Sequence, residues 1–232
     1  MKLEKLTVVV PAYDEAGTIR TILERVLAAP FPKEVLVVDD GSTDGTADVL
    51  RQMAEEHAPI RVLRHERNRG KGAALRTAFA EATGNVVLVQ DADLEYDPAD
   101  YIVLLRPILE ERADVVYGSR FLGGAYVRVH LFWHYAANRF LTLVTNMLSN
   151  LNLTDMETGY KVFRREVLER LRLRSEGFAI EPEITVKVAR LGCRVYEVPI
   201  TYAGRSYAEG KKIRWRDGFV ALFTAFRYRF FD

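Results

Sequence analysis

Short apolar runs alternate along the chain with segments whose apolar positions recur every three or four residues. Leu6-Thr7-Val8-Val9-Val10 is a β-branched run closed by Pro11, the pattern of a parallel strand buried on both faces. Over residues 16–29, Ile19, Ile22, Leu23, Val26 and Leu27 keep a helical period. Further apolar runs follow at Val35–Val38, Ile60–Leu63 and Val86–Val89. Between them lie a helical stretch from a cap at Asp44 through Met53 and an alanine-rich one over residues 73–82. Strands alternating with helices predict an α/β domain with a mostly parallel central sheet flanked by helices. Such sheets bind ligands at the carboxyl ends of their strands. Pro11–Glu15, Asp39–Ser42 and Asp91–Glu95 all fall at such ends. Asp39 is expected to cap its own turn, with Ser42 and Asp44 capping the helix that follows.

The second half is less regular. The pattern predicts a helix over 98–111 kinked at Pro107, a strand over 115–118 leading to Ser119-Arg120, and a helix over 131–150. A turn at 154–159, a strand at 160–163, helices at 166–173 and 180–191 and a strand at 195–202 follow. No repeat, low-complexity segment or clear linker interrupts 1–232, so one continuous domain is expected.

Composition narrows the classes. Hydrophobic and charged fractions of 49% and 28% are ordinary for a globular protein. A formal net charge of +1 argues against a nucleic-acid-binding surface. Cys193 is the single cysteine, which excludes an internal disulfide and fits a reducing compartment. The N-terminus has no basic-then-apolar leader. The longest apolar stretch, Leu131–Leu151, is interrupted by His134, Asn138, Arg139, Asn146 and Asn150, so no membrane span is expected. Residues 205–232 hold seven Lys or Arg against three acids in a strongly aromatic stretch.

The candidate chemistry centres on Gln90-Asp91-Ala92-Asp93-Leu94-Glu95. Side chains at i and i+2 of a strand share a face, so Asp91 and Asp93 can aim together from the strand's end. Carboxylates that close repel one another unless a cation lies between them. Mg²⁺ and Mn²⁺ take oxygen ligands and share them with a diphosphate. A solvated acidic turn is the bland alternative, and three acidic strand ends on one edge weigh against it. Arg69-Gly70-Lys71-Gly72 opens a helix whose N-terminus could cradle an anion. Neither a Gly-x-x-x-x-Gly-Lys-Ser/Thr loop nor a Gly-x-Gly-x-x-Gly follows a strand here, which disfavours triphosphatase and dinucleotide readings. The histidines show no metal-ligand spacing.

Three ordered segments resemble the motifs of glycosyltransferase family 2: Val9-Val10-Pro11-Ala12-Tyr13-Asp14-Glu15, Val37-Val38-Asp39-Asp40-Gly41-Ser42-Thr43-Asp44, and Gln90–Glu95. Gly118-Ser119-Arg120-Phe121, Asp155–Phe163 and Glu209-Gly210-Lys211-Lys212-Ile213 are similar to the branch of dolichol-phosphate mannose synthases and polyprenyl-phosphate glycosyltransferases. The resemblance covers nearly the whole chain. It implies the GT-A fold and inverting transfer of a hexose from a nucleoside-diphosphate sugar to a polyprenyl phosphate, with Mg²⁺ or Mn²⁺. It further implies that Asp93 and Glu95 hold the metal, Glu95 standing where many relatives have Gln. Pro11, Ala12, Tyr13, Glu15, Val38, Asp40, Asp91, Ala92 and Asp93 would bind the nucleotide sugar, together with the late cations Arg205 and Lys211. Asp93, Arg120 and Arg205 would be the catalytic set, and Arg120 and Arg139 would hold the acceptor phosphate. On this division residues 1–117 are the nucleotide-binding half, 118–204 the acceptor half and 205–232 a basic aromatic tail.

Many members of that branch carry membrane spans after the catalytic domain. The absence of such a span here implies peripheral contact with the cytoplasmic membrane face, with the helix at 131–150 and the tail at 213–231 as candidate lipid surfaces. Core or subunit packing is the competing role for both. An acceptor phosphate is already a nucleophile, whereas a hydroxyl acceptor needs a general base, for which Asp155, Glu181 and Glu183 are the candidates. A sugar-nucleotide pyrophosphorylase would need a Gly-rich, Arg-Lys loop where Val10-Pro11-Ala12-Tyr13 stands. A catalytically silent nucleotide-binding or lipid-phosphate-binding module would have no use for Asp91, Asp93 and Glu95 together.

Overall fold

A computed structural model describes residues 1–123, 131–204 and 215–231, with the side chains of 215–217 left aside. The strands are β1 (Leu6–Ala12), β2 (Lys33–Asp39), β3 (Ile60–Arg64), β4 (Val86–Val89), β5 (Val115–Ser119), β6 (Lys161–Arg164) and β7 (Val195–Pro199). The helices are α1 (Ile19–Ala28), α2 (Thr46–Glu56), α3 (Lys71–Glu81), α4 (Tyr101–Leu109), α5 (Phe132–Ser149), α6 (Arg165–Arg170), α7 (Ile180–Arg190) and α8 (Trp215–Phe230). A 3₁₀ turn, Pro98–Asp100, leads into α4, which contains Pro107 and ends two residues beyond it.

The sheet runs in the order β3-β2-β1-β4-β6-β5-β7. Strand alternation divides its side chains between two cores. Val8, Val10, Val35, Val37, Val86 and Leu88 pack with α1, α2 and α4 on one face. Val9, Leu36, Val38, Val87 and Val89 pack with α3, α6 and α7 on the other. Burial on both faces is why these strands are apolar without interruption.

β6 is the exception to parallel order, pairing antiparallel with both β4 and β5. Tyr117 lies opposite Lys161, so β6 begins at the edge where β4 and β5 end. The Thr154–Tyr160 segment is thereby delivered beside Asp91 and Arg120. On the other side of β4, Ala12 pairs with Asp39, which brings the ends of β1 and β2 level. The sheet reverses its winding between β1 and β4, the place where open α/β sheets form their ligand crevice.

Hydrogen bonds stitch the loops after β1 and β2 together. Asp14 N–H donates to Ser42 Oγ at 3.0 Å, Thr43 N–H to Asp14 Oδ1 at 2.8 Å, and Ala16 N–H to Asp44 Oδ2 at 3.0 Å. Asp39 does cap its turn, accepting Ser42 N–H at 2.9 Å. The helix caps expected at Ser42 and Asp44 are displaced, because α2 starts at Thr46 behind Gly45, whose φ is +95°. Asp44 instead accepts both Thr46 N–H and the Thr46 hydroxyl.

Candidate active site

A cleft of about 630 Å³ opens at the carboxyl edge of the sheet. Pro11, Ala12, Tyr13, Glu15, Asp40, Asp91, Ala92, Asp93, Glu95 and Arg120 all line it. The residues named from four separated strand ends therefore meet in one place. Two others do not. Val38 is fully buried in β2, where strand alternation points it into the α3 core, so it lines no cleft. Arg139 stays exposed on α5 and is absent from the lining; its guanidinium donates to Thr154 O at 3.4 Å. Arg205 and Lys211 lie outside the described residues.

The loop after β4 turns sharply. Leu94 has φ +61°, a conformation that costs a side-chain-bearing residue roughly 1–2 kcal/mol, and it separates Asp93 from Glu95. Asp93 Oδ1 accepts Glu95 N–H at 3.2 Å, and Glu95 Oε2 accepts the Tyr202 hydroxyl at 2.7 Å. Among the described residues, no three His, Cys, Asp or Glu side chains converge closely enough to hold an ion by themselves. A pair of carboxylates completed by substrate phosphates is the donor set that Mg²⁺ and Mn²⁺ use in phosphate-binding sites, and Asp93 and Glu95 fit that description.

Asp40 is already committed to the protein. Its carboxylate accepts His65 Nδ1–H at 2.6 Å, Arg69 N–H at 3.0 Å and Gly70 N–H at 2.6 Å. With 3% exposure, Asp40 shapes the turn into α3 from the wall of the cleft it lines. Asp91 forms an ion pair with Lys71 at 2.8 Å, and Gly159 packs so closely that an added Cβ would lie 2.0 Å from Asp91 Oδ2. Lys71 also reaches Glu181 at 3.1 Å, and Glu181 is held in turn by Lys161. Burial alone would lower the Lys71 pKa, but Asp91 and Glu181 together raise it above the usual lysine value.

Arg120 grips Asp155 with two bonds of 2.7 Å, from Nε and Nη2, and lies over the Tyr202 ring at 5.2 Å. Burial opposes its charge, and the Asp155 carboxylate more than restores it. Glu183 pairs with Lys187 at 2.8 Å and accepts Arg174 and Ser175 N–H. The three carboxylates named as possible general bases are thus each held by a cation.

The turn named as a possible anion cradle brings Gly70 and Lys71 to the cleft, and sequence reasoning missed four further lining residues, Tyr96, Glu157, Phe178 and Tyr202. Glu157 is distinctive. Its Oε1 is buried without a hydrogen-bond partner. Burial, then the charge of Glu181, pushes its pKa up to about 7.

The family model described as Glycosyl transferase family 2 matches residues 7–172. The chain is 32% identical over 219 residues to the undecaprenyl-phosphate mannosyltransferase of Micrococcus luteus, covering 89% of this chain and 87% of that protein. It is 30% identical to the dolichol-phosphate mannosyltransferase of Pyrococcus furiosus, covering 89% of this chain and 59% of the relative. Glucosyl-3-phosphoglycerate synthase from Mycobacterium tuberculosis, solved with Mn²⁺ and UDP-glucose, superposes with a TM-score of 0.74 at 21% identity. That likeness spans 97% of this chain and 78% of that one, and the shared architecture is the GT-A fold.

Proposed function

Because the chain belongs to glycosyl transferase family 2 and is a glycosyltransferase, we propose that it moves a hexose from a nucleoside-diphosphate sugar to a polyprenyl phosphate. The reading is carried by the order of groups along one cleft. The ends of β1 and β2 offer Pro11, Ala12, Tyr13, Glu15 and Asp40 to a nucleoside. The end of β4 offers carboxylates at the place a diphosphate would occupy. The end of β5 offers Arg120 to a second phosphate. The mannosyltransferase relatives support the acceptor class, and GDP-mannose or UDP-glucose is the expected type of donor.

Asp93 and Glu95 would hold Mg²⁺ or Mn²⁺, which when bound neutralises charge on the departing diphosphate. Lys71 adds fixed positive charge beside Asp91 and keeps that carboxylate in place. Arg120, anchored by Asp155, orients the acceptor phosphate for in-line displacement at the anomeric carbon. Such an acceptor needs no proton removed. In this reading Arg205 and Lys211 serve the diphosphate, and Arg139, which reaches from α5 to Thr154 O, assists Arg120. One observation favours a hydroxyl acceptor instead: Glu157, with a pKa near neutrality, could act as a general base.

A thermal-shift panel of nucleoside diphosphates and nucleotide sugars with Mn²⁺ or Mg²⁺, followed by transfer assays, tests the reading. The matching donor raises Tm by mass action, EDTA abolishes the shift, and label from that donor moves into polyprenyl phosphate. Asp93→Ala turns over more slowly by at least about a hundredfold, the scale of losing one transition-state charge contact. Unchanged turnover in EDTA and in Asp93→Ala would overturn the metal assignment. Transfer to soluble alcohols but not to polyprenyl phosphate would overturn the acceptor.

A further inference from the structure

Glu157 lies at a defined point along the cleft. The sheet order β1-β4-β6-β5 places β6 between the strand that ends in Asp91–Glu95 and the strand that ends in Arg120. Glu157 belongs to the segment that enters β6. A nucleoside over β1 and β2, a diphosphate at β4 and an acceptor phosphate at Arg120 leave the span over β6 to the sugar between them.

The backbone around Glu157 is fixed on both sides. Lys161 Nζ donates to Met156 O at 3.1 Å and also to Thr158 O, while Gly159 N–H donates to the Tyr96 hydroxyl at 2.9 Å. Asp155, two residues earlier, is held by Arg120. A side chain on so constrained a segment has few places to go, and this one lines the cleft with Oε1 buried and unpartnered. An unpaired carboxylate oxygen shielded from water is costly, of the order of 1–3 kcal/mol, and the half-buried side chain that carries it faces the cleft, where a ligand donor would offset that cost. The charged groups around it are Glu181 on α7, Lys161 on β6, Arg120 and Asp155. Two of these four are acidic, which discourages a phosphate oxygen and suits a neutral donor.

We propose that Glu157 is a sugar-recognising residue whose carboxylate accepts a hydrogen bond from a hydroxyl of the transferred hexose. This rests on the nucleotide-sugar reading above. The test compares the affinities of GDP with GDP-mannose, and of UDP with UDP-glucose, by calorimetry in the presence of Mn²⁺. The ratio within the matching pair isolates the sugar's contribution. Glu157→Ala lowers that ratio about tenfold, as expected for one hydrogen bond to a charged acceptor, and leaves the bare diphosphate unaffected. Glu157→Gln, which keeps an acceptor oxygen, recovers most of the ratio. Three results would overturn the proposal: an unaltered ratio in Glu157→Ala, an equal loss for diphosphate and nucleotide sugar, or a Glu157→Gln variant that binds donor normally but has lost turnover. The last would make Glu157 a general base. A wild-type protein that binds none of the four probes would overturn the donor assignment, and with it this proposal.

Discussion

At the scale of single residues, the cleft is a row of carboxylates sorted by what neutralises each. Asp40 is satisfied by backbone N–H groups and His65, Asp91 and Glu181 by lysines, and Asp155 by Arg120, while Glu157 Oε1 is left open. That difference has a pH signature. The Glu157 pKa is raised from 4.5 to about 7 by burial and by Glu181. The folded state therefore binds the proton more tightly than the unfolded chain, so this contribution to stability is full below about pH 4.5. It declines as pH rises and is gone above about 7. Glu157→Gln is expected to gain on the wild type across that window, by roughly 1–2 kcal/mol at pH 8 once screening by cleft water is allowed for. Urea denaturation at pH 4.5, 6 and 8 checks this, and a difference that does not vary with pH would contradict it. The acidic residues after β4 were legible in the sequence because they adjoin one another. The role of Lys71 was not, since its partners Asp91 and Glu181 lie 20 and 110 positions away and a lysine opening a helix ordinarily faces solvent. Val38 failed for a local reason: it lies inside β2, two residues short of Asp40, where the α3 core covers that face.

At the scale of elements, the start of α3 is the part most dependent on a distant side chain. Asp40 gathers Arg69 and Gly70 N–H, Gly70 adopts φ +91°, and Ala73 N–H reaches Glu176 O at 2.9 Å. An added Cβ at Gly70 would lie 2.6 Å from Glu176 O, so the loop before α7 leaves no space there. Asp40→Ala strips acceptors from two backbone donors and from His65. It should lower stability by about 2 kcal/mol and weaken donor binding through displacement of Lys71. Denaturation midpoints and donor titrations report both effects, and lost stability with donor affinity intact would separate α3 from the site. Most strands and helices were foreseeable to within a few residues from apolar spacing. The direction of β6 was not, because Tyr160–Phe163 announces a strand and says nothing of its partners. Yet that direction is what brings Asp155 and Glu157 to the cleft.

At the scale of the whole molecule, α5, α7 and α8 pack together and leave an apolar exterior. On α8, Ala221, Ala225 and Tyr228 turn inward, while Phe219, Val220, Phe223 and Phe226 are exposed. On α5, Phe132, Trp133, Phe140, Leu143 and Met147 are exposed as well. No helix among the described residues is long and apolar enough to cross a membrane. We propose that these exposed faces meet a membrane surface, with Arg227 and Arg229 near the end of α8 suited to anionic headgroups. The variant Phe223→Glu with Phe226→Glu should lose most of its flotation with liposomes containing anionic lipid, while its Tm stays within a few degrees of the wild type. Undiminished flotation would show that these rings serve something other than lipid. The sequence disclosed that both helices were rich in aromatic residues, but which of those faced outward depended on how three helices came together.

Glu95 is also where two distant stretches of chain are tied. Its main-chain carbonyl takes Ala203 N–H at 2.9 Å, its side chain takes the Tyr202 hydroxyl, and neighbouring Tyr96 forms a bridge with Tyr202. An ion that claimed the same oxygen would oblige the phenol to let go. Filling the site would thus exchange a bond that ties Tyr202 to the turn after β4 for one to the metal, leaving the main-chain tie at Ala203 to hold that turn.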